Sequence, residues 1–282
     1  MKKHLVAIFT IFFLQSCEDN KVVYKPESSA RINSITVVVD NDNWNNTIGD
    51  KIRNLYADEY EGLPQIEERF TLKQMPYEAF SGFSRSSRNI IFINKKSNPE
   101  FFFEVDKYAR PQIYLEIKGN SIKSILEQID KSKKEAINKF TNGEIEENKK
   151  RILKSPLKDT SAMEDFLINM KMPSAYSLYK QDKNFIWYQK QIQKGHSNII
   201  VTQLPSQKNI FDYNIPSVIK LRDSIGEVFL PGRNPESFMI SEKEYLPYQK
   251  KVNYYGIKML ETRGTWEVKG DFMGGPFLNY LI

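Results

Sequence analysis

The strongest constraint on the fold is the way short β-branched runs alternate with segments of helical periodicity. Residues 35–40 are Ile-Thr-Val-Val-Val-Asp, a composition typical of a buried strand. Apolar side chains then recur at helical spacing over residues 44–57, and residues 70–76 and 89–93 are again strand-like. Strand–helix–strand order brings parallel neighbours joined by right-handed crossovers. The pattern therefore predicts a sheet with helices packed on one face.

A second series of elements follows the same order. Residues 112–117 alternate like a strand, and residues 122–153 have the apolar spacing of a long helix, with a break expected at the Asn-Gly pair 142–143. Residues 166–172 alternate again, and residues 184–188 form another strand-like run. Each series ends in a Met-Pro pair, a loop, and a strand that starts with Asn. This parallel predicts a pseudo-duplicated β-α-β-β unit.

The last third of the chain has the pattern of antiparallel structure. Residues 187–192 and 199–203 flank a turn at 193–197 and predict a hairpin, and residues 216–225 predict a short helix. Three closing strands are expected over residues 252–261, 265–268 and 277–281.

These patterns together predict an α+β fold with mixed sheets and helices on one sheet face. The length of 282 residues is ample for a buried core. We expect one domain over residues 31–282, in which the segments of about 31–110 and 111–205 are sub-units and about 206–282 is an antiparallel portion.

The N-terminus has the pattern of a secretory signal. Two lysines precede ten nearly uninterrupted apolar residues, about half of the ~20 that a membrane-spanning helix needs. The run ends in Leu14-Gln15-Ser16-Cys17, which resembles a bacterial lipobox, and Cys17 is the only cysteine of the chain. We predict a signal peptide over residues 1–16, cleavage between Ser16 and Cys17, and lipidation of Cys17. The alternative is an ordinary signal followed by a chance cysteine.

Lipidation would make residues 17–30 a tether, because they are polar and lack a periodic pattern. The predicted location is the cell envelope, as an outer-membrane lipoprotein with the periplasmic face and the cell surface both open. The formal net charge of +6 falls to +4 when Lys2 and Lys3 leave with the signal peptide. No long Lys/Arg block is present, so a nucleic-acid partner is not expected. The expected partners are the membrane, through the lipid, and an envelope ligand or protein.

No sequence motif for a known chemistry stands out. The chain has no Walker loop, dinucleotide fingerprint, HExxH or GxSxG. The single cysteine excludes an internal disulfide and a multi-cysteine metal site. Two histidines are too few for most histidine-based zinc or iron sites, and we expect neither metal nor cofactor. His196 falls in the predicted turn and is expected to be exposed. The tripeptide Asp223-Ser224-Ile225 fits a loose pattern for periplasmic O-glycosylation, and whether Ser224 carries a glycan stays open.

The most unusual segment is residues 261–277, which combine four glycines with aromatic and charged side chains. One interpretation is a hairpin with a bulged turn packed into the core. The other is a pocket floor in which Glu261, Arg263 and Asp271 make polar contacts and Trp266 is an aromatic platform. Paired carboxylates also suit glycoside hydrolysis, provided that they face each other across a cleft.

Five segments of the chain stand out together: residues 31–40, 62–65, 87–91 and 184–187, and above all residues 263–277, Arg-Gly through Gly-Asp-Phe-Met-Gly-Gly-Pro-Phe. Together they resemble one family of Bacteroidota lipoproteins, the domain of unknown function DUF4837. The resemblance covers nearly the whole predicted mature chain. It implies a lipoprotein address and a single folded unit, and it implies nothing about catalysis.

Three functions remain open on the sequence. The first is a membrane-anchored envelope lipoprotein that binds a ligand or partner or has a structural role. The second is an envelope glycan hydrolase that uses paired carboxylates such as Glu261 and Asp271. The third is a subunit of a larger envelope complex. The missing catalytic motif favours the first.

Overall fold

The computed structural model describes residues 24–64, 67–95, 98–204 and 208–282. The predicted signal peptide, the cleavage site at Ser16 and the lipidation site at Cys17 lie outside the described residues. Helices and strands are mixed, and the predicted α+β class is confirmed. Within the described residues, no helix is both long and apolar enough to cross a membrane.

The N-terminal half forms a five-stranded sheet of order β2-β1-β3-β5-β4. All strands are parallel except the edge strand β4, which runs antiparallel to β5. The sequence predicted four of the five strands and missed β4, whose residues are only half-buried at the sheet edge. The strands are β1 (Ser34–Val38), β2 (Thr71–Met75), β3 (Asn89–Asn94), β4 (Glu100–Val105) and β5 (Ile113–Lys118).

One face of this sheet is covered by helices α1 (Asn41–Trp44), α2 (Thr47–Tyr56) and α3 (Ile122–Lys154). Their apolar faces bury a core against β1, β3 and β5 that includes Ile52, Ile129 and Phe140. The other face is covered by loop and 3₁₀ residues around Phe80. The prediction of helices on one sheet face is therefore confirmed for this sheet.

Two helix predictions need correction. The helix expected over residues 44–57 is α2, which begins at Thr47. Trp44 instead ends the short helix α1, which Asp40 caps by accepting a hydrogen bond from the Asn43 backbone nitrogen. The long helix α3 does not break at 142–143. A Cβ on Gly143 would lie 2.9 Å from Cδ1 of Ile113, so this glycine permits close packing of α3 on β5.

A buried ion pair holds α3 to the start of β3. The Arg88 and Glu144 side chains are each 2% exposed, and Arg88 Nε lies 2.7 Å from Glu144 Oε1. The backbone nitrogen of Asn33 donates to Glu144 Oε2 at 2.7 Å, and the Asn89 amide donates to Oε1. Arg88 Nη2 also donates to the carbonyl oxygen of Arg31 at 3.1 Å. A buried pair of this kind is tolerated only when such additional hydrogen bonds satisfy it.

The chain before β1 is also tied to this region. The backbone nitrogens of Ser28 and Ser29 donate to the carbonyl oxygens of Arg110 and Ser86, at 3.0 and 2.8 Å. The segment predicted as a tether over residues 17–30 therefore joins the folded body by about Pro26, whose carbonyl accepts from the Arg110 nitrogen at 2.8 Å.

The second half contains two further sheets. The first is a meander of β6 (Ser177–Asp182), β7 (Phe185–Ile192) and β8 (Gly195–Thr202). The second is an antiparallel sheet of β9 (Phe238–Ser241), β10 (Tyr248–Tyr254), β11 (Ile257–Lys269) and β12 (Asp271–Leu281). Helix α4 (Ile215–Phe229) packs against it. The predicted antiparallel character of the C-terminal portion is confirmed.

The predicted duplication does not appear in the fold. Residues 166–172, expected to be a strand, start at the last residue of a 3₁₀ helix over Ser161–Phe166 and form no ladder. Their alternating apolar side chains instead pack, together with Met163, against the inner face of the meander. Strand β5 lies in the first sheet and helix α3 packs on it, so the boundary expected near residue 110 does not separate two sub-units.

We predict that Glu144→Ala destabilises the protein by about 3–5 kcal/mol, because it leaves the Arg88 guanidinium buried without its counter-charge. Urea unfolding followed by circular dichroism measures this change. The matched control on the same helix is Glu135→Ala, since the Glu135–Lys139 pair is exposed. That variant should lose no more than about 0.5 kcal/mol. Equal losses in the two variants would contradict the assigned role of Glu144.

Candidate functional site

The four residues predicted as a pocket lie on one hairpin but in two separate places. Glu261, Arg263 and Trp266 belong to β11, and Asp271 begins β12 after the turn at Gly270, whose φ is +81°. Glu261 and Arg263 lie near the middle of the sheet, and Trp266 and Asp271 lie toward the hairpin turn. The structure therefore brings them together as two pairs.

Glu261 is a buried carboxylate, only 1% exposed, in a cage of polar side chains. Arg263 Nη2 lies 2.7 Å from Oε1, and Lys250 Nζ lies 3.4 Å from the same oxygen. The hydroxyls of Tyr280 and Tyr254 donate to Oε2 at 2.9 and 3.2 Å. Burial, reinforced by the Glu261 carboxylate, raises the pKa of both tyrosines above the ordinary value.

The cage also contacts the N-terminal half. The Arg263 guanidinium lies over the Tyr60 ring, 5.1 Å from its centroid. A Cβ on Gly62 would lie 2.9 Å from both the Arg263 carbonyl oxygen and Tyr248 Cβ, so glycine allows the loop after α2 to pack on this sheet face. Glu261 and Arg263 thus form an ion pair under the contact between the loop after α2 and the C-terminal sheet. This position is typical of structural residues.

Asp271 is held by Arg233. Arg233 Nε donates to Oδ2 and Nη2 donates to Oδ1, each at 2.9 Å, in a bidentate ion pair. The Phe272 backbone nitrogen donates to Oδ1 at 2.7 Å. The hydrogen bond from Arg233 is the main reason that the pKa of Asp271 lies below its usual value.

The two carboxylates cannot act as an acid–base pair. Asp271 pairs across the hairpin with Val268, seven positions along β11 from Glu261. At ~3.3 Å per residue this separation is about 23 Å. Glycosidases keep their two carboxyl groups about 5–9.5 Å apart. The pair proposed from the sequence is thus excluded by strand geometry and by the ion pair that each carboxylate already makes.

A cleft does lie beside Trp266. It is a depression that is wide open to solvent, with a volume of about 670 Å³. The indole lies over Gly275, where a Cβ would approach Nε1 to 3.2 Å, so the glycine makes room for the ring. Tyr245 and the fully exposed Phe272 add aromatic surface. The segment is a hairpin with a register shift at Glu267/Val268, and of the four residues predicted as a pocket floor only Trp266 and Asp271 line the cleft.

A polar wall completes the cleft. The Glu242 carboxylate accepts hydrogen bonds from the Tyr245 backbone nitrogen at 3.1 Å and from the Thr265 hydroxyl at 3.3 Å. These bonds fix the loop between β9 and β10 against β11. Glu267 and Lys269 line the same cleft and are exposed.

Other sequence expectations have simple outcomes. His196 is exposed as expected, but it lies in β8 and not in the turn. Ser224 is an exposed residue of α4, and its hydroxyl donates to the Leu221 carbonyl oxygen at 2.9 Å. Across the part of the chain that the structure describes, no group of three or more His, Cys, Asp or Glu side chains is placed to hold a metal ion.

Sequence reasoning missed the partners of the predicted residues. Tyr60 and Arg233 lie far from residues 261–271 in the chain, and no local motif indicates them. Lys250 and Tyr280 could be assigned to Glu261 only from the strand register, which places both directly opposite it.

Comparison with known families divides the chain near residue 154. Residues 28–153 match a family model described as domain of unknown function (DUF8532). Residues 155–282 match the model described as domain of unknown function (DUF4837). The C-terminal part of this chain is thus similar to the DUF4837 family. No curated protein matches the chain, and no solved structure does.

The match confirms the resemblance to DUF4837 and corrects its extent. The DUF4837 match spans the meander, α4, the C-terminal sheet and the Trp266 cleft. The quoted segments 31–40, 62–65 and 87–91 fall within the DUF8532 match, which spans the five-stranded sheet and nearly all of α3. The single domain over residues 31–282 stays a prediction.

We predict that Arg233→Met raises the pKa of Asp271 toward its ordinary value, because the variant removes the bidentate donor. Carboxyl carbon NMR shifts between about pH 2 and 6 measure it. The control is Asp159 in the same sample, whose pKa is lowered mainly by the Ser161 hydroxyl. A depressed pKa favours folding above the unfolded value and loses this contribution as the pH falls through the folded value, so the variant should lose less stability between about pH 4 and 2. An unchanged Asp271 titration would contradict the assignment.

Proposed function

We propose that this chain is a cell-envelope lipoprotein, held on a membrane by lipid on Cys17, whose DUF4837 domain binds a ligand or partner in the Trp266 cleft. The observation that carries the anchor is the tetrapeptide Leu14-Gln15-Ser16-Cys17 after a short apolar run. The single cysteine of the chain falls where a lipobox requires it. The resemblance to Bacteroidota lipoproteins supports the same address, with the outer membrane as the expected site.

The anchor would hold the body close to the membrane. Pro26 already pairs with Arg110, so eight residues separate Cys17 from the folded body. Fully extended, they reach at most about 30 Å. A triacylated cysteine would hold the protein there in a stable manner, since each buried methylene adds ~0.8 kcal/mol.

The cleft supports binding over catalysis. It is concave, and it combines the aromatic surface of Trp266, Tyr245 and Phe272 with a few polar side chains. The Glu242 carboxylate at its wall is already occupied by hydrogen bonds from Tyr245 and Thr265. The hydrolase alternative loses its named residues, because Glu261 and Asp271 lie too far apart.

Membership in a larger envelope complex is the second candidate. It is favoured by exposed apolar side chains at the C-terminal strand and the hairpin turn: Phe272, Leu278 and Ile282. These exposed apolar side chains are available to a protein partner.

We predict that Cys17→Ser abolishes acylation and signal-peptide cleavage at residue 17, because the lipid is attached to the sulfur. Metabolic labelling with palmitate, followed by membrane fractionation with and without detergent, measures both properties. Ser16→Ala is the matched control, since it keeps a small residue before the cysteine and should be processed like the wild type. The lipoprotein proposal is wrong if the Cys17→Ser protein is labelled and processed like the wild type.

We predict that a photo-crosslinking amino acid in place of Tyr245 captures the ligand or partner in intact cells. The same group in place of the exposed Lys134 of α3 is the control. Mass spectrometry of the purified protein should show an adduct specific to position 245, and adding Trp266→Ala should reduce its yield by about tenfold. Equal adduct formation at the two positions, or none at 245, would count against the cleft as the binding site.

A further inference from the structure

The meander carries a second surface that the Trp266 cleft does not include. The inner face of its central strand buries Ile186 and Tyr188 against Met163 and Met172. The opposite face of β7 and β8 presents four cross-strand pairs. These are Phe185–Thr202, Trp187–Ile200, Gln189–Asn198 and Gln191–His196.

An aromatic pair stands at the centre of this face. The register between β6 and β7 shifts between Leu178 and Lys180, which leaves Tyr179 as the extra residue of a bulge. A bulge re-aims a side chain, and here the Tyr179 ring lies 4.5 Å from the Trp187 ring at an angle of 55°. Tyr179 is 61% exposed. The two rings form an open, V-shaped apolar surface.

Beside the rings, a hydrogen-bond network fixes the orientation of an amide. Trp187 Nε1 donates to Asn198 Oδ1 at 2.9 Å, and Gln189 Nε2 donates to the same oxygen at 3.1 Å. An amide oxygen has two lone pairs, so both are occupied. Asn198 is exposed, and its amide nitrogen donates to no protein acceptor within the described ranges. The two N–H groups of Asn198 are thus left for a ligand.

The face carries little charge. None of its eight paired residues on β7 and β8 is Asp, Glu, Lys or Arg, and on β6 the charged residues are Lys180, opposite Trp187, and Asp182, opposite Phe185 at the end of the strand. The nearby Lys180 is engaged elsewhere: its Nζ donates to the Phe229 carbonyl oxygen at 3.2 Å and lies over the Phe185 and Phe229 rings. The stacked rings of Phe185 and Phe229, 4.4 Å apart, close the face at the α4 end.

We infer that this face, the Tyr179–Trp187–Asn198 platform, binds a neutral oligosaccharide. The C–H faces of pyranose rings pack on aromatic rings, and their hydroxyls accept hydrogen bonds from amide N–H groups. An uncharged chain of hydroxyl-bearing rings therefore complements the uncharged, amide-bearing platform in both shape and charge. This is a separate site from the Trp266 cleft and does not depend on the function proposed for it.

The test is titration calorimetry of the full chain purified in lauryldimethylamine oxide, a detergent without a sugar headgroup. The probes are the uncharged hexasaccharides maltohexaose, cellohexaose and mannohexaose. We expect at least one to bind, and Trp187→Ala to weaken binding at least about tenfold through loss of the ring surface.

Asn198→Asp is the sharper variant. It keeps an oxygen that accepts from Trp187 and Gln189, so the platform stays folded, but it replaces the outward N–H donors by an acceptor. It should also weaken binding about tenfold or more, while Trp266→Ala should bind like the wild type. The proposal is overturned if none of the three sugars binds at millimolar concentration, if both platform variants bind within about twofold of the wild type, or if Trp266→Ala alone loses binding.

Discussion

The structure depends on the buried ion pair between Arg88 and Glu144. Strand β3, helix α3 and the chain before β1 all supply atoms to it, so the first sheet, its helical layer and the N-terminal segment meet at one point. The pair is buried, and further hydrogen bonds from Asn33 and Asn89 satisfy the Glu144 carboxylate, while Arg88 Nη1 has only the Glu147 carboxylate near it, at 3.9 Å. Toward its C-terminal end, α3 contacts the second half of the chain through Lys149 and Glu146, which hydrogen-bond the Tyr255 hydroxyl at the β10–β11 turn.

The sequence predicted those elements whose local pattern and tertiary environment agree. The runs at β1 and β3 are nearly continuous apolar segments because parallel strands are buried on both faces, whereas β5 alternates. Residues 166–172 have a strand-like alternation, but their apolar side chains are used for packing against the meander. The sequence predicts a helix break at Gly143. Only the close approach of this position to Ile113 explains why a glycine stands inside an unbroken helix. Periodicity reports which side chains are buried, and it cannot report what buries them.

The candidate site shows the same limit. The segment that contains Glu261, Arg263, Trp266 and Asp271 stands out in the sequence. The sequence does not give the strand register, which sets how far apart these residues lie and which face of the sheet each one occupies. Their partners come from remote segments: Tyr60 from the N-terminal half, and Arg233 from the loop after α4. Two of the four predicted residues, Glu261 and Arg263, form an ion pair with each other, and the other two border the cleft. The resulting account favours recognition at the surface of an anchored protein over chemistry on a bound substrate.

The central claim, that a lipid anchor holds a binding domain at the envelope, is tested most directly by the N-terminus of the natural protein. Intact-mass and N-terminal peptide mass spectrometry of the chain isolated from its native membranes measure this end. The account predicts a polypeptide that begins at Cys17 and carries fatty acyl groups on that residue. A chain that still begins at Met1, or one that begins elsewhere with an unmodified Cys17 thiol, would contradict it.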